Sequence, residues 1–174
     1  MTIAIDPELL SRLPSEFDHL GFVWKDIEAA AKRFERLLGV RFTPPGPGSA
    51  FPVNRPSGTQ LLEMRAAHAQ FGPIKLEFVQ PLGPSIYSEH IERYGEGLHH
   101  VGFDTKHIDQ FLARYEELGV IPAMFGEFGS TEDPSTFAYF DTLTELGVLT
   151  EVVDFSPTVR ARLDAARAQA AQGR

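Results

Sequence analysis

The stretch Gly97-Leu98-His99-His100-Val101-Gly102-Phe103 places two histidines inside a short apolar run with the composition of a β-strand. A closely similar stretch, Phe17-Asp18-His19-Leu20-Gly21-Phe22, occurs earlier in the chain. A shift of 81 residues sets His19 on His100, Gly21 on Gly102, Phe22 on Phe103 and Lys25 on Lys106. The same shift sets Ile27 on Ile108, Arg33 on Arg114, Glu35 on Glu116 and Leu37 on Leu118, with Phe34 against Tyr115. Gly39-Val40 meets Gly119-Val120 after a one-residue deletion, and Leu76-Glu77-Phe78-Val79 resembles Thr150-Glu151-Val152-Val153. Coincidences on matching strand and helix signals mark an internal duplication.

The rest of the chain falls into place around these anchors. Phe17 to Trp24 reads as a strand. Asp26 can cap a helix whose apolar residues Ile27, Ala30, Ala31, Phe34, Leu37 and Leu38 recur at helical spacing, and Gly39 is its expected end. Val40 to Thr43 predicts a strand that breaks at Pro44. Pro44 to Gly58 holds five prolines and three glycines and predicts a loop, either a surface connection or a lid over substrate. Thr59 to Arg65 and Ile74 to Gln80 read as strands joined by a turn near Gly72-Pro73, and Ser85 to Tyr94 as a connecting helix. In the second half, Phe125 to Pro134 is rich in Gly, Glu and Asp, and Thr136 to Asp141 reads as a strand. Each copy is therefore expected to run strand, helix, then three strands. The expected divisions are a leader over 1–16 with a short helix at Pro7 to Leu13, a first module over 17–84 and a connecting helix over 85–97. A second module over 98–155 and a C-terminal helix over 156–174 complete the chain.

Composition narrows the function classes. The 43% hydrophobic and 23% charged content is that of a globular chain. No apolar run reaches the 18 or so residues of a membrane span, and the first residues lack a signal peptide's basic and apolar regions, so an intracellular, cytoplasmic location is the default. A net charge of −8 without a basic cluster argues against nucleic acid. With no cysteine, histidine and carboxylate are the only strong metal ligands available.

Four polar residues stand at equivalent places in otherwise apolar strands: His19 and His100 on the first strands, Glu77 and Glu151 on the last. A buried carboxylate is costly unless paired, hydrogen-bonded or bound to metal. A lone strand histidine is more often a satisfied core residue, and a lone strand glutamate more often faces solvent. Four such coincidences favour a shared site for Zn²⁺, Co²⁺, Ni²⁺, Mn²⁺ or Fe²⁺. Strand alternation turns His99 away from His100 and makes it either a structural residue or one that supports the ligands from behind. His68, His90 and His107 fall in turn or helix positions and read as unremarkable.

His19, Gly97-Leu98-His99-His100, Leu76-Glu77-Phe78-Val79-Gln80-Pro81-Leu82-Gly83 and Gly147-Val148-Leu149-Thr150-Glu151 resemble the vicinal oxygen chelate superfamily, and within it the methylmalonyl-CoA epimerases. The resemblance covers roughly Phe17 to Phe155. It implies an α+β fold in which two tandem βαβββ modules form a cupped, incomplete mixed barrel around one divalent metal, with extra N- and C-terminal helices in this chain. It carries the metal ligands onto His19, Glu77, His100 and Glu151. The implied chemistry is removal of a proton next to a thioester carbonyl through a metal-stabilised enolate, with Glu151 as one base and Glu63 as its opposed partner. The implied partners are an acyl-CoA and a second copy of the chain. The leader, the Pro-rich loop and the C-terminal helix depart from the epimerase pattern, and Phe125, Phe128, Phe137 and Tyr139 can line an apolar substrate pocket. A glyoxalase-like lyase shares the ligand set. An extradiol dioxygenase fits less well, because a fourth protein ligand crowds out oxygen, and a non-catalytic ligand-binding protein would not need the four ligands.

Overall fold

The computed structural model describes residues 15–172, with side chains described for 16–165. The helix read at Pro7 to Leu13 lies outside the described residues. Eight strands and five helices follow in order among the described residues: β1 (Ser15–Val23), α1 (Ile27–Leu38), β2 (Ser49–Arg55), β3 (Gly58–Phe71), β4 (Ile74–Pro81), α2 (Ile86–Tyr94), β5 (Gly97–Thr105), α3 (Ile108–Glu117), β6 (Pro122–Ser130), β7 (Asp133–Phe140), α4 (Leu143–Leu146), β8 (Leu149–Asp154) and α5 (Pro157–Gln172). No described helix is long and apolar enough to cross a membrane.

The strands close into one mixed barrel in the order β1-β4-β3-β2-β6-β7-β8-β5. This corrects the expectation of an incomplete barrel. β1 and β5 pair antiparallel along almost their whole length, while β2 meets β6 through only Val53–Gly126 and Asn54–Phe125. β1 runs parallel to β4, and β5 parallel to β8, so the first and last strands of each half lie side by side.

Local chemistry accounts for most boundaries. Asp26 accepts a hydrogen bond from the Ala29 amide at the start of α1, and Gly39 ends it in the left-handed conformation that glycine adopts without a Cβ penalty. Ser85 and Ser88 form a reciprocal cap at the start of α2. Two expectations fail. Val40 to Thr43 is irregular, held to β3 by a bond from the Thr43 amide to the His68 carbonyl. The predicted Pro-rich loop contains β2, with Pro52 inside it. β2 pairs with β3 along its length but with β6 at only two positions, and a strand with one side largely unpaired tolerates proline.

Strand alternation sorts side chains into an interior and an outer shell. Val23, Val53, Leu62, Val79, Met124, Phe137, Tyr139, Leu149 and Val153 fill the interior, joined by Ile86, Tyr87 and Ile91 of α2. Outside, Ile27 and Ala30 of α1 cover Ala67 and Phe78, and Ile108 and Phe111 of α3 cover Ala138, Phe140 and Val152. Arg55 grips both oxygens of Glu89 on α2 at 2.7 and 2.8 Å. Arg160 fastens α5 to β5 through Asp104 and the Thr105 carbonyl.

Candidate metal centre

The β1–β5 pairing brings the two histidines together. His19 lies opposite Gly102 and His100 opposite Gly21, so each ring rests on the other strand's glycine. A Cβ at Gly21 would collide with the His100 ring, and one at Gly102 with the His19 ring. The repeated His-x-Gly pattern thus supplies, in each half, one imidazole and the space for the other. The parallel neighbours add the carboxylates, with Glu77 on β4 beside Gly21 and Glu151 on β8 beside Gly102.

His19 Nε2 lies 2.9 Å from His100 Nε2, 2.9 Å from Glu151 Oε2 and 3.5 Å from Glu77 Oε2. His100 Nε2 is 3.4 Å from both carboxylate oxygens. All four side chains offer a ligand atom within 4.8 Å of the others. Nitrogen and oxygen ligands each about 2.1 Å from one ion lie roughly 3.0 Å apart at right angles and roughly 3.4 Å apart at the tetrahedral angle. The observed spacings match that range. Glu151 Oε2 is buried without a hydrogen-bond partner despite its closeness to both imidazoles, so it converges on the same point as they do and is not satisfied by either. The donor set fits a divalent ion of the Zn²⁺, Co²⁺, Ni²⁺, Mn²⁺ or Fe²⁺ kind.

The charges are mutually dependent. Burial pushes the His19 pKa down, but its hydrogen bond to Asp18 and the Glu151 and Glu77 carboxylates beside its Nε2 outweigh it and hold His19 well above the ordinary imidazole value. His100 is raised as well, by Glu151 and Glu77 against its burial. Burial opposes ionisation of the carboxylates, yet the two histidines pull Glu151 down to about 2 and Glu77 well below its usual range. Both glutamates are therefore anions at neutral pH.

Around this cluster stand further residues, most of them not expected at the site from the sequence. β1 and β5 each carry a one-residue bulge just before the ligand: Asp18 is extra on β1, and His99 on β5. Each bulged side chain turns inward and is buried. Asp18 Oδ2 accepts from His19 Nδ1 at 2.9 Å and from Lys75 Nζ at 2.7 Å. His99 Nδ1 is 2.9 Å from His100 Nδ1. This corrects the reading of His99 as facing away, because the bulge breaks the alternation on which it rested. His68 is the third addition. It lies across the β3–β4 hairpin from Glu77, and its Nε2 donates to Glu77 Oε1 at 3.0 Å. Its signal was available: a turn at Gly72-Pro73 fixes a register that puts His68 opposite Glu77. Tyr87 and Tyr139 are the fourth. Their hydroxyls are 3.1 Å apart, and Tyr139 Oη is 3.5 Å from His100 Nε2. Burial and the nearby carboxylates raise both phenols far above their usual value and keep them protonated.

Two expected site residues are elsewhere. Glu63 is exposed on the outer face of β3, because its neighbour Leu62 points into the barrel. Phe125 packs against α3 on the outside, since its partner in the register is the outward Ala138. Phe137 and Tyr139 do lie inside, with Phe128 packed against the same cluster.

The family described as Glyoxalase/Bleomycin resistance protein/Dioxygenase superfamily matches residues 18–140. No curated protein sequence matches the chain. Among solved structures, methylmalonyl-CoA epimerase from Mycobacterium tuberculosis superimposes with a TM-score of 0.59 at 20% identity, over 83% of this chain and 91% of that one. The Streptomyces coelicolor epimerase in complex with 2-nitronate-propionyl-CoA gives 0.56 at 20% identity, over 80% and 94%. A hypothetical protein from Bacillus halodurans gives 0.56 at 20% identity, over 81% and 94%. These likenesses are of fold.

Proposed function

This chain belongs to the glyoxalase, bleomycin resistance protein and dioxygenase superfamily, also called vicinal oxygen chelate, and on that premise we propose that it is a divalent-metal-dependent isomerase. Its reaction is removal and return of the proton on a carbon next to a thioester carbonyl, and its substrate is an acyl-CoA of the methylmalonyl type. The observation that carries the reading is the convergence of two imidazoles and two ionised carboxylates inside a barrel of the epimerase fold.

His19, Glu77, His100 and Glu151 are the residues that would hold the ion. When bound there, it supplies a Lewis acid that stabilises negative charge developing on a carbonyl oxygen. The chain's own contributions are separate. Glu151 is the base, since its Oε2 accepts no hydrogen bond and is ionised at neutral pH. Glu63 faces solvent and has no part as an opposed base; Glu77, which enters from the other half of the barrel and is held by His68, serves to fix the ion. Tyr139, kept neutral and donating from 3.5 Å beyond His100 Nε2, can bond an oxygen held at the cluster. Phe137, Val153 and Leu149 exclude water from the interior and strengthen each of these interactions. The acyl-CoA is carried by the likeness to epimerases whose complexes hold methylmalonyl-CoA or 2-nitronate-propionyl-CoA.

Incubation with methylmalonyl-CoA in D₂O tests the reaction class. Deuterium is expected at the α-carbon with the metal-loaded protein, and Glu151→Gln is expected to slow its entry by about 10²–10⁴-fold. No exchange with the loaded protein, but turnover of the hemithioacetal of methylglyoxal and glutathione, would replace the isomerase by a lyase.

A further inference from the structure

A second layer lies behind the two histidines, built by the paired bulges. Asp18 and His99 occupy corresponding places in the duplication, each the extra residue of its strand and each directly before a ligand histidine. Ordinarily, adjacent strand residues face opposite sides. The bulges bring both of these side chains to the Nδ1 edge of the ring that follows, at 2.9 Å in each case. We propose that Asp18 and His99 are positioning residues that hold the His19 and His100 rings with Nε2 free for a metal ion, and that Asp18 is the stronger of the two.

The argument follows from what an imidazole can offer. A neutral ring carries one N–H and one lone pair, so an ion on Nε2 requires the proton on Nδ1. Asp18, paired with the Lys75 ammonium at 2.7 Å in its buried seat, is a carboxylate and so can only accept. His99 is also a suitable acceptor for His100 Nδ1–H, because it is fully buried between Tyr87, His90, Tyr139 and His100. To accept at Nδ1, 2.9 Å from His100 Nδ1, it must carry its lone pair there, as only the neutral imidazole does. A hydrogen bond from a metal-bound histidine to a carboxylate makes the ring a better donor than one to a neutral group. The two imidazoles should therefore grip unequally, His19 harder than His100.

The inference rests on the metal reading above, and one experiment separates the two. The full chain, stripped with a chelator, is titrated with Co²⁺ against a competing chelator while the visible absorption of bound Co²⁺ is recorded. The wild type is expected to bind about one ion, and failure to bind overturns both the metal reading and this inference. Asp18→Asn is expected to weaken Co²⁺ by about 10–100-fold and to shift its absorption bands. His99→Phe, which fits the same aromatic surroundings, is expected to weaken it less, with a smaller shift. His99→Asn, which restores a neutral acceptor, is expected to recover most of that loss. Folded variants that bind Co²⁺ within twofold of a binding wild type, with unchanged spectra, overturn the positioning role alone. If Asp18→Asn does not fold, the His99→Phe and His99→Asn pair decides: a loss that Asn rescues supports the role, and no loss in Phe removes it.

Discussion

The two halves of the barrel build the same centre with unequal support. In the first half, His19 is tied to Asp18, Asp18 to Lys75, and Glu77 to His68. In the second, His100 faces the neutral His99, and Glu151 Oε2 accepts no hydrogen bond. One side is an anchor whose groups are all spoken for, and the other keeps a carboxylate with capacity left. On the proposed reading, the two halves of the barrel divide their labour, one fixing an ion and the other retaining the group that moves a proton.

The sharpest way to break this comparison is to neutralise the two carboxylates in parallel. Glu77→Gln should lose most of its bound metal, measured by metal analysis, whereas Glu151→Gln should keep much more and lose isotope exchange instead. Equal losses in both assays would make the halves equivalent. Next in size are the glycines. Gly21→Ala and Gly102→Ala each force a ligand ring to move, and a drop in Co²⁺ affinity of at least about tenfold is expected, since displaced ligand orientation costs about as much as losing an outer partner. His68→Ala should lower affinity by about tenfold by freeing Glu77 Oε1, with little change in the melting temperature, because His68 is nearly half exposed.

The smallest effect concerns protons. In the metal-free protein His19 should keep its second ring proton to higher pH than His100, as followed by NMR titration, because it has the additional bond to Asp18. Both pKa values are raised above the 6.5 of a free imidazole, so their contribution to stability is full below that value. It is lost as pH rises through the folded values. Glu77 and Glu151 act in the opposite sense: their contribution is present above about 4.5 and fades as pH falls toward their lowered values. Melting temperatures of the stripped protein, measured from neutral to alkaline pH, should therefore decline. Metal and proton compete for Nε2, so Co²⁺ should bind more tightly over the same rise.

Much of this was legible in the chain. The His-x-Gly repeat located His19 and His100, and a charged residue in an apolar strand located Glu77 and Glu151. The inner layer was not. Asp18 and His99 turn inward only because β1 and β5 slip by one residue against each other, a property of the pairing and not of either strand. β2 was hidden because prolines signal a break, and only the scarcity of its contacts with β6 makes them tolerable. Phe125 needed a register to be placed. Glu63 did not: the alternation Leu62-Glu63-Met64, with apolar neighbours inside, already sends it to solvent.

The mutual seating of the histidines on glycines has a consequence for how such a centre can be inherited. Each half of the barrel carries the space that the other half's ring fills. Neither half can drift at that point by itself, for a side chain gained in one disables the histidine of the other. Half of the gene, expressed separately, would encode a seat with no occupant and a ring with nowhere to sit.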